Sequence, residues 1–546
     1  MNLLFKGCCR AEHAAGRWMT WAVLAAVCAL VIWVQRPLLD TDFCYQSDVF
    51  GITYNADVIS RGGIPYRDTA EYKMPGCFFL YAWIFEAWGR SLAGVWAVSL
   101  AAQILMLMMV YVTGYLIAGR ITGLGAALIY TVTAFNYDLG GIFNINYSFW
   151  MTVPYTGAML FFLQSVKNNR LSDWFLCGLL LGLALLFKRP ALAGIAAVFF
   201  YLMMFREKNW PVRAGMVVGG AAAAWVPLLI YYGVHGALPA LAEGIWGGPW
   251  GWAGQRYFFA GWFRASSMIR NIHLSHIAYG VMLLTTLLMV PVVCLRLQGD
   301  GSPKLGRILI ALGIWTFMAH AYLLAGRFYE HYFVQGLGAT SVLMAYSLQL
   351  LPACNILIRR LWSAGIAVSL GVLLFVAIWS FSSFSANLIN MRFFLDPVLR
   401  AGAYIKEQSR TGDSIYALGK LMDIYYYAQR PAFTRMFRDR SYILDIDLDY
   451  FYKAHFSDQA GIRERFYTDF VKAPPRFLAV KRQGDSSVDM TEWPELTDAV
   501  SKNYLRKISF VNILMRVDIY ERKPGVPGSG YPRIQDSGLD APENPL

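Results

Sequence analysis

Charge is scarce in this chain. Only 15% of its 546 residues are Asp, Glu, Lys or Arg, where a soluble domain carries about 25%. That scarcity excludes an ordinary water-soluble enzyme over most of the length. Cysteine is also sparse: the eight residues are scattered and form no C-x-x-C, which argues against a zinc ribbon or a disulfide framework. No internal repeat and no glycine-rich nucleotide-binding loop is present. Acids are the rarer charge, 35 against 48 basic residues, for a net charge of +13. In a soluble chain that excess would suggest nucleic acid. Here the basic residues gather in short connections between apolar runs, so no nucleic-acid partner is expected.

Apolar residues make up 57% of the chain and aromatics 16%. Apolar runs of roughly 17–25 residues are long enough to cross a bilayer as helices. The runs lie at 18–35, 91–118, 121–136, 148–166, 171–187, 190–205, 214–233, 275–296, 307–325, 332–352 and 361–384. Trp18, Trp21 and Trp33 and the lack of a small-x-small cleavage site mark the first run as a retained span. Segment 75–89 is apolar but short and holds Glu86, so it reads as an interfacial helix. With that segment not crossing, Lys6, Arg10, Arg17, Arg120, Lys167, Arg170, Arg206, Lys208, Arg213, Arg296, Lys304, Arg307, Arg359 and Arg360 all fall on one face. The positive-inside rule makes that face cytoplasmic. The prediction is an α-helical polytopic protein of the cell (inner) membrane with about eleven spans, its N-terminus inside and its C-terminus outside.

The outer face collects the unusual connections: 36–90, 136–150, the aromatic-rich 235–267 and "GRFYEHYF" (326–333). After residue 390 the composition changes. "TGDSIYALG" (411–419) and "PRFLAV" (475–480) read as strands, 398–409 and 496–507 as helices, and 510–523 as closing strand material. The expected organisation is a membrane domain over 1–390, a periplasmic α/β domain over 391–523 and a disordered tail over 524–546. Cys28, Cys177 and Cys294 lie in apolar runs and read as core residues. Cys44 and Cys77 flank the charged loop on one predicted face, and thiols or a disulfide both remain open there.

"SDVFGITYNADVISRGGIPYRDTAEYKMPG" (47–76) concentrates charge just after the first span. It reads as a helix from Asp48, closed by Gly62-Gly63 through a left-handed cap, then a turn at Pro65, then a second helix beginning near Pro75. Asp48 thus stands at the start of one helix and Lys73 at the start of the next.

This stretch resembles the polyprenyl-phosphate-sugar glycosyltransferases of the GT-C fold. The resemblance is carried by Asp48, Ala56, Gly62-Gly63, "PYRD" (65–68), "EYKMPG" (71–76) and an aromatic-rich helix ending "WG" (88–89). The branch it is similar to is the bacterial one related to protein mannosyltransferases and the lipid A aminoarabinose transferase (glycosyltransferase families 39 and 83). "LLFKRPAL" (185–192) is similar to a Lys-containing motif of that branch, and Arg327, His331 and Tyr332 to its Arg-x-x-x-His-Tyr motif.

The resemblance implies transfer of a hexose or pentose from a polyprenyl phosphate donor to a hydroxyl acceptor on the outer face, with inversion. The acceptor is an envelope glycan, a lipid or a protein, and membrane lipid surrounds the site. A hydroxyl nucleophile needs a carboxylate base, the role the resemblance assigns to Asp48. A lipid phosphate leaving group needs cations, here Lys73, Lys188, Arg189, Arg327 and His331. Tyr66, Asp68, Glu71, Asn146 and Tyr332 are supporting residues, with Asp68 and Glu71 read as partners of Arg67 and Lys73. Asp40 and Asp42 are backup acids in an Asp-x-Asp string, and "DIDLD" (445–449) reads as a solvated strand edge. No cofactor is assigned, since a lipid-linked donor requires no soluble nucleotide. A divalent cation is compatible with the carboxylates, but no ligand spacing demands one.

Two departures stand out. Asn146 occupies the position of the Glu in the family's Asn-x-Glu, and the Pro usual after "HYF" is missing. The rival reading is a secondary transporter or lipid flippase, in which intramembrane charges mark a path. Against it, charged residues are scarce at span centres and no inverted repeat is visible.

Overall fold

In a computed structural model of the chain, the described residues are 14–44, 46–136, 139, 141, 143–206, 209–247, 273–299, 303–321, 332–350, 356–382, 384–435, 459–483, 488 and 493–527. Their helices run, in chain order, α1 (Ala14–Leu39), α2 (Ser47–Ser60), α3 (Gly76–Trp88), α4 (Leu92–Ala118), α5 (Arg120–Ala134), α6 (Tyr147–Asn168), α7 (Leu171–Phe187), α8 (Leu192–Phe205), α9 (Trp210–Val234) and α10 (Leu238–Ala242). After these come α11 (Leu274–Gly299), α12 (Pro303–His320), α13 (Val334–Leu350), α14 (Ile356–Ser382) and α15 (Phe384–Gln408). The remainder is β1 (Ile415–Leu418), α16 (Met422–Ala428), α17 (Gln459–Lys472), β2 (Phe477–Gln483), α18 (Pro494–Asn503), β3 (Tyr504–Val511) and β4 (Arg516–Arg522). Within the described residues, every apolar run predicted as a span overlaps one of these helices. Five stretches among the described residues are long and apolar enough to cross a membrane by themselves: Trp18–Leu39, Leu92–Ala118, Trp210–Val234, Leu274–Pro291 and Trp362–Ser382. Helices are the element such a sequence must form, because hydrocarbon leaves no partner for an unpaired backbone group.

The chain divides into two compact units. The first comprises Met1–Asp42, Ser91–Leu228 and Arg256–Ser385 and is a helix bundle. Its core is aromatic: Trp315 of α12 lies 4.8 Å from Tyr155 and 5.6 Å from Phe162, both on α6. Phe162 also meets Trp174 of α7 and Tyr201 of α8. α7 and α9 pack through small residues. A Cβ on Gly178 would lie 2.1 Å from the Val217 carbonyl oxygen, and one on Gly182 would lie 2.4 Å from that of Ala221. This is the close backbone approach that small residues four apart permit between membrane helices.

Where the chain leaves and re-enters this bundle is informative. Asp42, after α1, accepts hydrogen bonds from the Ser91 hydroxyl at 3.1 Å and the Leu92 N–H at 2.8 Å. The excursion 43–90 therefore begins and ends at the same helix ends. Helix α3, with 13 residues, is about 20 Å long, short of the roughly 30 Å of a hydrocarbon core.

The second unit comprises Phe43–Arg90, Leu229–Gln255 and Ala386–Leu546. Its sheet has the order β1-β2-β4-β3, with β1 and β2 parallel and the other pairs antiparallel. Tyr416, Phe433 and Phe466 form an aromatic cluster beside it, with centroids 5.0–5.3 Å apart. Two expectations need correction. The helix predicted over 496–507 stops at Asn503, and 504–507 belong to β3. The closing segment is a hairpin of two strands, since Tyr504–Val511 pairs with Arg516–Arg522. Ladder hydrogen bonds to β4 outweigh the weak helical preference of "YLRK", whose aromatic and apolar residues also suit a pleated surface. The segment predicted as a helix over 398–409 is the end of α15, so residue 390 falls inside a continuous helix. Of the predicted tail only 524–527 are among the described residues, and "DIDLD" lies outside them.

The 43–90 excursion docks on the C-terminal part of this unit. The Tyr54 hydroxyl accepts from the Ala432 N–H at 3.1 Å, and the Ala70 N–H donates to the Arg435 carbonyl at 2.8 Å. Phe50 packs against Tyr426 and Tyr427.

Candidate functional site

Helix α2 begins as its sequence dictates. Asp48 lies in its first turn, where a carboxylate faces the positive end of the helix dipole. At the other end the Gly63 N–H bonds the Val58 carbonyl at 2.8 Å and the Gly62 N–H bonds that of Ile59 at 2.9 Å. Gly62 has φ +81°, so this is the Schellman arrangement that glycine supplies at least cost.

The chain then returns to the start of α2. Lys73 Nζ donates to Asp48 Oδ1, forming an ion pair across 25 residues of sequence. A buried polar scaffold sets this return. Tyr66, itself at φ 69°, donates its hydroxyl proton to the Lys73 carbonyl. The Thr69 hydroxyl donates to Asn55 Oδ1 at 2.7 Å and accepts from the Tyr66 N–H at 3.3 Å. Glu71 is buried, and its Oε1 accepts from the backbone N–H groups of Tyr72 at 3.0 Å and Lys73 at 3.3 Å.

The other acids of the stretch have structural partners. Asp68 accepts from Nε and Nη2 of Arg67, at 2.8 and 2.9 Å, and from the Ile64 N–H at 2.7 Å. The Asp68 hydrogen bond also raises the Arg67 pKa above its usual value. Asp57 receives Nε of Arg90 at 2.6 Å together with Nη2. Arg90 in turn donates to the Tyr426 carbonyl at 2.7 Å and lies 4.4 Å from that ring's centroid. Exposure separates these carboxylates. The Asp48 side chain is 38% accessible, against 13% for Asp68 and 9% for Asp57. Asp48 is thus the one best placed to meet an incoming molecule.

The remaining candidates divide between defined and undefined positions. Lys188 lies between α7 and α8 in extended backbone, and its Nζ donates to the Ser148 hydroxyl at 2.5 Å. The same ammonium stands 4.7 Å from the Tyr332 ring centroid. Asn146 caps α6, accepting from the Ser148 N–H at 2.9 Å, and so sets the residue that holds Lys188. Arg189 opens the short 3-10 turn into α8 and is half-buried. Arg327 and His331 lie outside the described residues. Asp42 is the partner of the α4 start already noted, and Asp40 is exposed. Cys44 and Cys77 are buried, and each remains a thiol. Among the described residues no three His, Cys, Asp or Glu side chains gather as a metal site.

Arg90, Asn55 and Ser148 are the positions that sequence reasoning passed over. Arg90 lies beyond the quoted motif, and its partner Tyr426 is 336 residues away. Only the Ser two residues after Asn146, in an N-cap pattern, carried any local signal.

Comparison with known proteins adds the following. Residues 73–231 match the family described as dolichyl-phosphate-mannose-protein mannosyltransferase, a stretch that takes in Lys73, Asn146, Lys188 and Arg189 and begins after Asp48. No curated protein matches the chain significantly. The crystal structure of ArnT from Cupriavidus metallidurans bound to undecaprenyl phosphate is similar, with a TM-score of 0.57 at 14% identity over 95% of this chain and 100% of that one. The Archaeoglobus fulgidus oligosaccharyltransferase tethered to an acceptor peptide containing the NVT sequon has a TM-score of 0.52 at 11% identity, over 93% of this chain and 74% of that one. What is shared at such identities is the fold. The chain is a membrane protein of the GT-C fold, and its residues 73–231 are similar to the protein mannosyltransferase family.

Proposed function

We propose that the protein transfers a hexose or pentose from a polyprenyl phosphate to a hydroxyl acceptor at the outer face of the inner membrane, with inversion. The observation that carries this reading is the ion pair of Asp48 and Lys73, an accessible carboxylate and a cation brought together by a buried scaffold. The acceptor hydroxyl gives its proton to Asp48 while its oxygen bonds to the anomeric carbon. The bond from that carbon to the phosphate oxygen breaks, and its electron pair leaves on the polyprenyl phosphate. Lys73 stabilises the departing phosphate. In the resting arrangement the two side chains satisfy each other. Donor phosphate draws on the Lys73 ammonium and leaves the Asp48 carboxylate for the acceptor. The acceptor is an envelope glycan, a lipid or a protein. The match over 73–231 and the GT-C fold support the lipid-linked donor.

The test uses the full chain in proteoliposomes with a panel of labelled polyprenyl-phosphate hexoses and pentoses and an envelope acceptor fraction. Asp48→Asn is expected to slow transfer by about 10²–10⁴-fold while donor binding persists. Undiminished transfer by this variant sinks the base assignment. Absence of donor-dependent product from the wild type across the panel sinks the transferase reading itself.

A further inference from the structure

Three polar side chains from three helices form one buried chain of hydrogen bonds. Tyr279 of α11, His320 at the end of α12 and Thr340 of α13 are each at most 7% exposed. The Tyr279 hydroxyl lies 2.9 Å from His320 Nε2 and 3.0 Å from the Thr340 hydroxyl. His320 Nδ1 lies 2.7 Å from the Thr316 carbonyl. A carbonyl only accepts, so Nδ1 carries the proton of the neutral imidazole. Nε2 then accepts from the Tyr279 hydroxyl, whose oxygen accepts from Thr340. The order of donors runs from α13 through α11 to α12. Apolar replacement of both partners in a buried hydrogen bond can be neutral for stability. What a satisfied polar network supplies is one defined arrangement of the helices that share it.

That arrangement sets the start of α13. A Cβ on Gly336 would lie 2.0 Å from His320 Cε1, so the backbone there rests directly on the imidazole. Phe333 packs on the same helices, its ring 4.6 Å from that of His276 and 5.9 Å from that of Tyr279. His276 is itself fixed, since its Nδ1 accepts from the His273 N–H at 3.0 Å.

The same short stretch carries contacts to the Lys188 turn. The Tyr332 ring centroid is 4.7 Å from the Lys188 ammonium. Gln335 Nε2 donates to the Pro190 carbonyl at 3.2 Å, two residues beyond Lys188. Residues 332–336 are thus gripped through Phe333 and Gly336, and they grip the 188–190 turn through Tyr332 and Gln335. A shift of ~1 Å there matters, because charge-assisted bonds to phosphate oxygens act at about 2.7–2.9 Å.

We propose that Thr340, Tyr279 and His320 are positioning residues for Lys188: they fix the start of α13, and through Tyr332 and Gln335 the place of the ammonium that receives the donor phosphate. The proposal rests on the reading of the donor as a polyprenyl phosphate and of Lys188 as its ligand. The probe is radiolabelled undecaprenyl phosphate, titrated against the full chain in neutral detergent. Tyr279→Phe keeps the ring and removes the link, and Thr340→Val removes it from α13. Each is expected to weaken binding about fivefold, less than Lys188→Met does, and Thr340→Ser to keep wild-type binding. In a Lys188→Met background neither should weaken it further, because residues that act through Lys188 then have nothing to position. The thermal unfolding midpoint of each variant checks the fold. Undiminished binding by both variants, or a loss of equal size with and without Lys188, overturns the proposal while the donor reading stands. Unchanged binding by Lys188→Met alone overturns the Lys188 assignment and the proposal with it. A wild-type chain that retains no undecaprenyl phosphate overturns the donor reading as well.

Discussion

Arg90→Met separates scaffold from chemistry in the 43–90 segment. Three interactions end on this guanidinium: the two-pronged pair with Asp57, the bond to the Tyr426 carbonyl at 2.7 Å, and the Tyr426 ring 4.4 Å from Cζ. The Asp57 side chain is 9% exposed, so the variant leaves a buried carboxylate without its cation. Breaking one side of a buried pair costs about 3–5 kcal/mol. The carbonyl bond adds about 1 kcal/mol and the ring contact about 1 kcal/mol. These overlap, and partial solvent access at Arg90 lowers the total, so the expected loss is about 4 kcal/mol. Removing both charges with Asp57→Leu and Arg90→Met should recover much of it, since apolar replacement of a buried pair is often close to neutral. The assay is denaturant unfolding of the full chain in detergent, with proteolytic release of the 43–90 segment as a local readout. Single variants that lose under about 1 kcal/mol would refute the reasoning, as would a double variant whose loss equals the sum of the singles.

Two further outcomes are expected. Lys188→Met removes the Ser148 bond and a proposed phosphate contact, so the KM for the polyprenyl donor should rise about tenfold with kcat little changed. Lys188→Arg should keep part of the affinity, and steady-state kinetics over donor concentration checks both. In the unit that carries the sheet, burial pushes the Asp423 carboxyl up to about 7, although its backbone hydrogen bonds and Lys481 oppose the rise. The folded chain thus keeps a proton that the unfolded chain releases near pH ~4. Its contribution to stability is greatest below about pH 4, falls as pH rises to about 7 and is level above. Asp423→Asn should flatten that part of the profile and raise stability at pH ~8 by at most about 4 kcal/mol. An unfolding profile with the same slope in wild type and variant counts against it.

The helices were legible because their cause is local. Predicted 171–187 is Leu171–Phe187, and the helix expected from Asp48 to the Gly62-Gly63 break is Ser47–Ser60. A run of apolar residues in a bilayer has one way to satisfy its backbone, and a glycine at positive φ closes a helix wherever it falls. β3 was misread because its residues 504–507 are decided by β4, a partner that local preference does not contain.

The roles of the acids were less legible. Asp48 and Asp57 lie on the same short helix, and their type and spacing did not show which is spent on structure. Arg90 and Tyr426 decide that for Asp57, and Asp42 is likewise taken up by the start of α4. A carboxylate's role depends on its partners and its access to solvent, both set by residues remote in sequence.

By itself the sequence determined that this is a helical membrane protein, where its helices lie, and which short stretch concentrates charge. Tertiary structure alone decided that the stretch returns on itself to pair Lys73 with Asp48 and that Asp57 serves as a strut for Arg90. Hydrophobic periodicity and capping act over a few residues and are written in order along the chain. Ion pairs and cavities are made by side chains whose separation in space bears no relation to their separation in sequence.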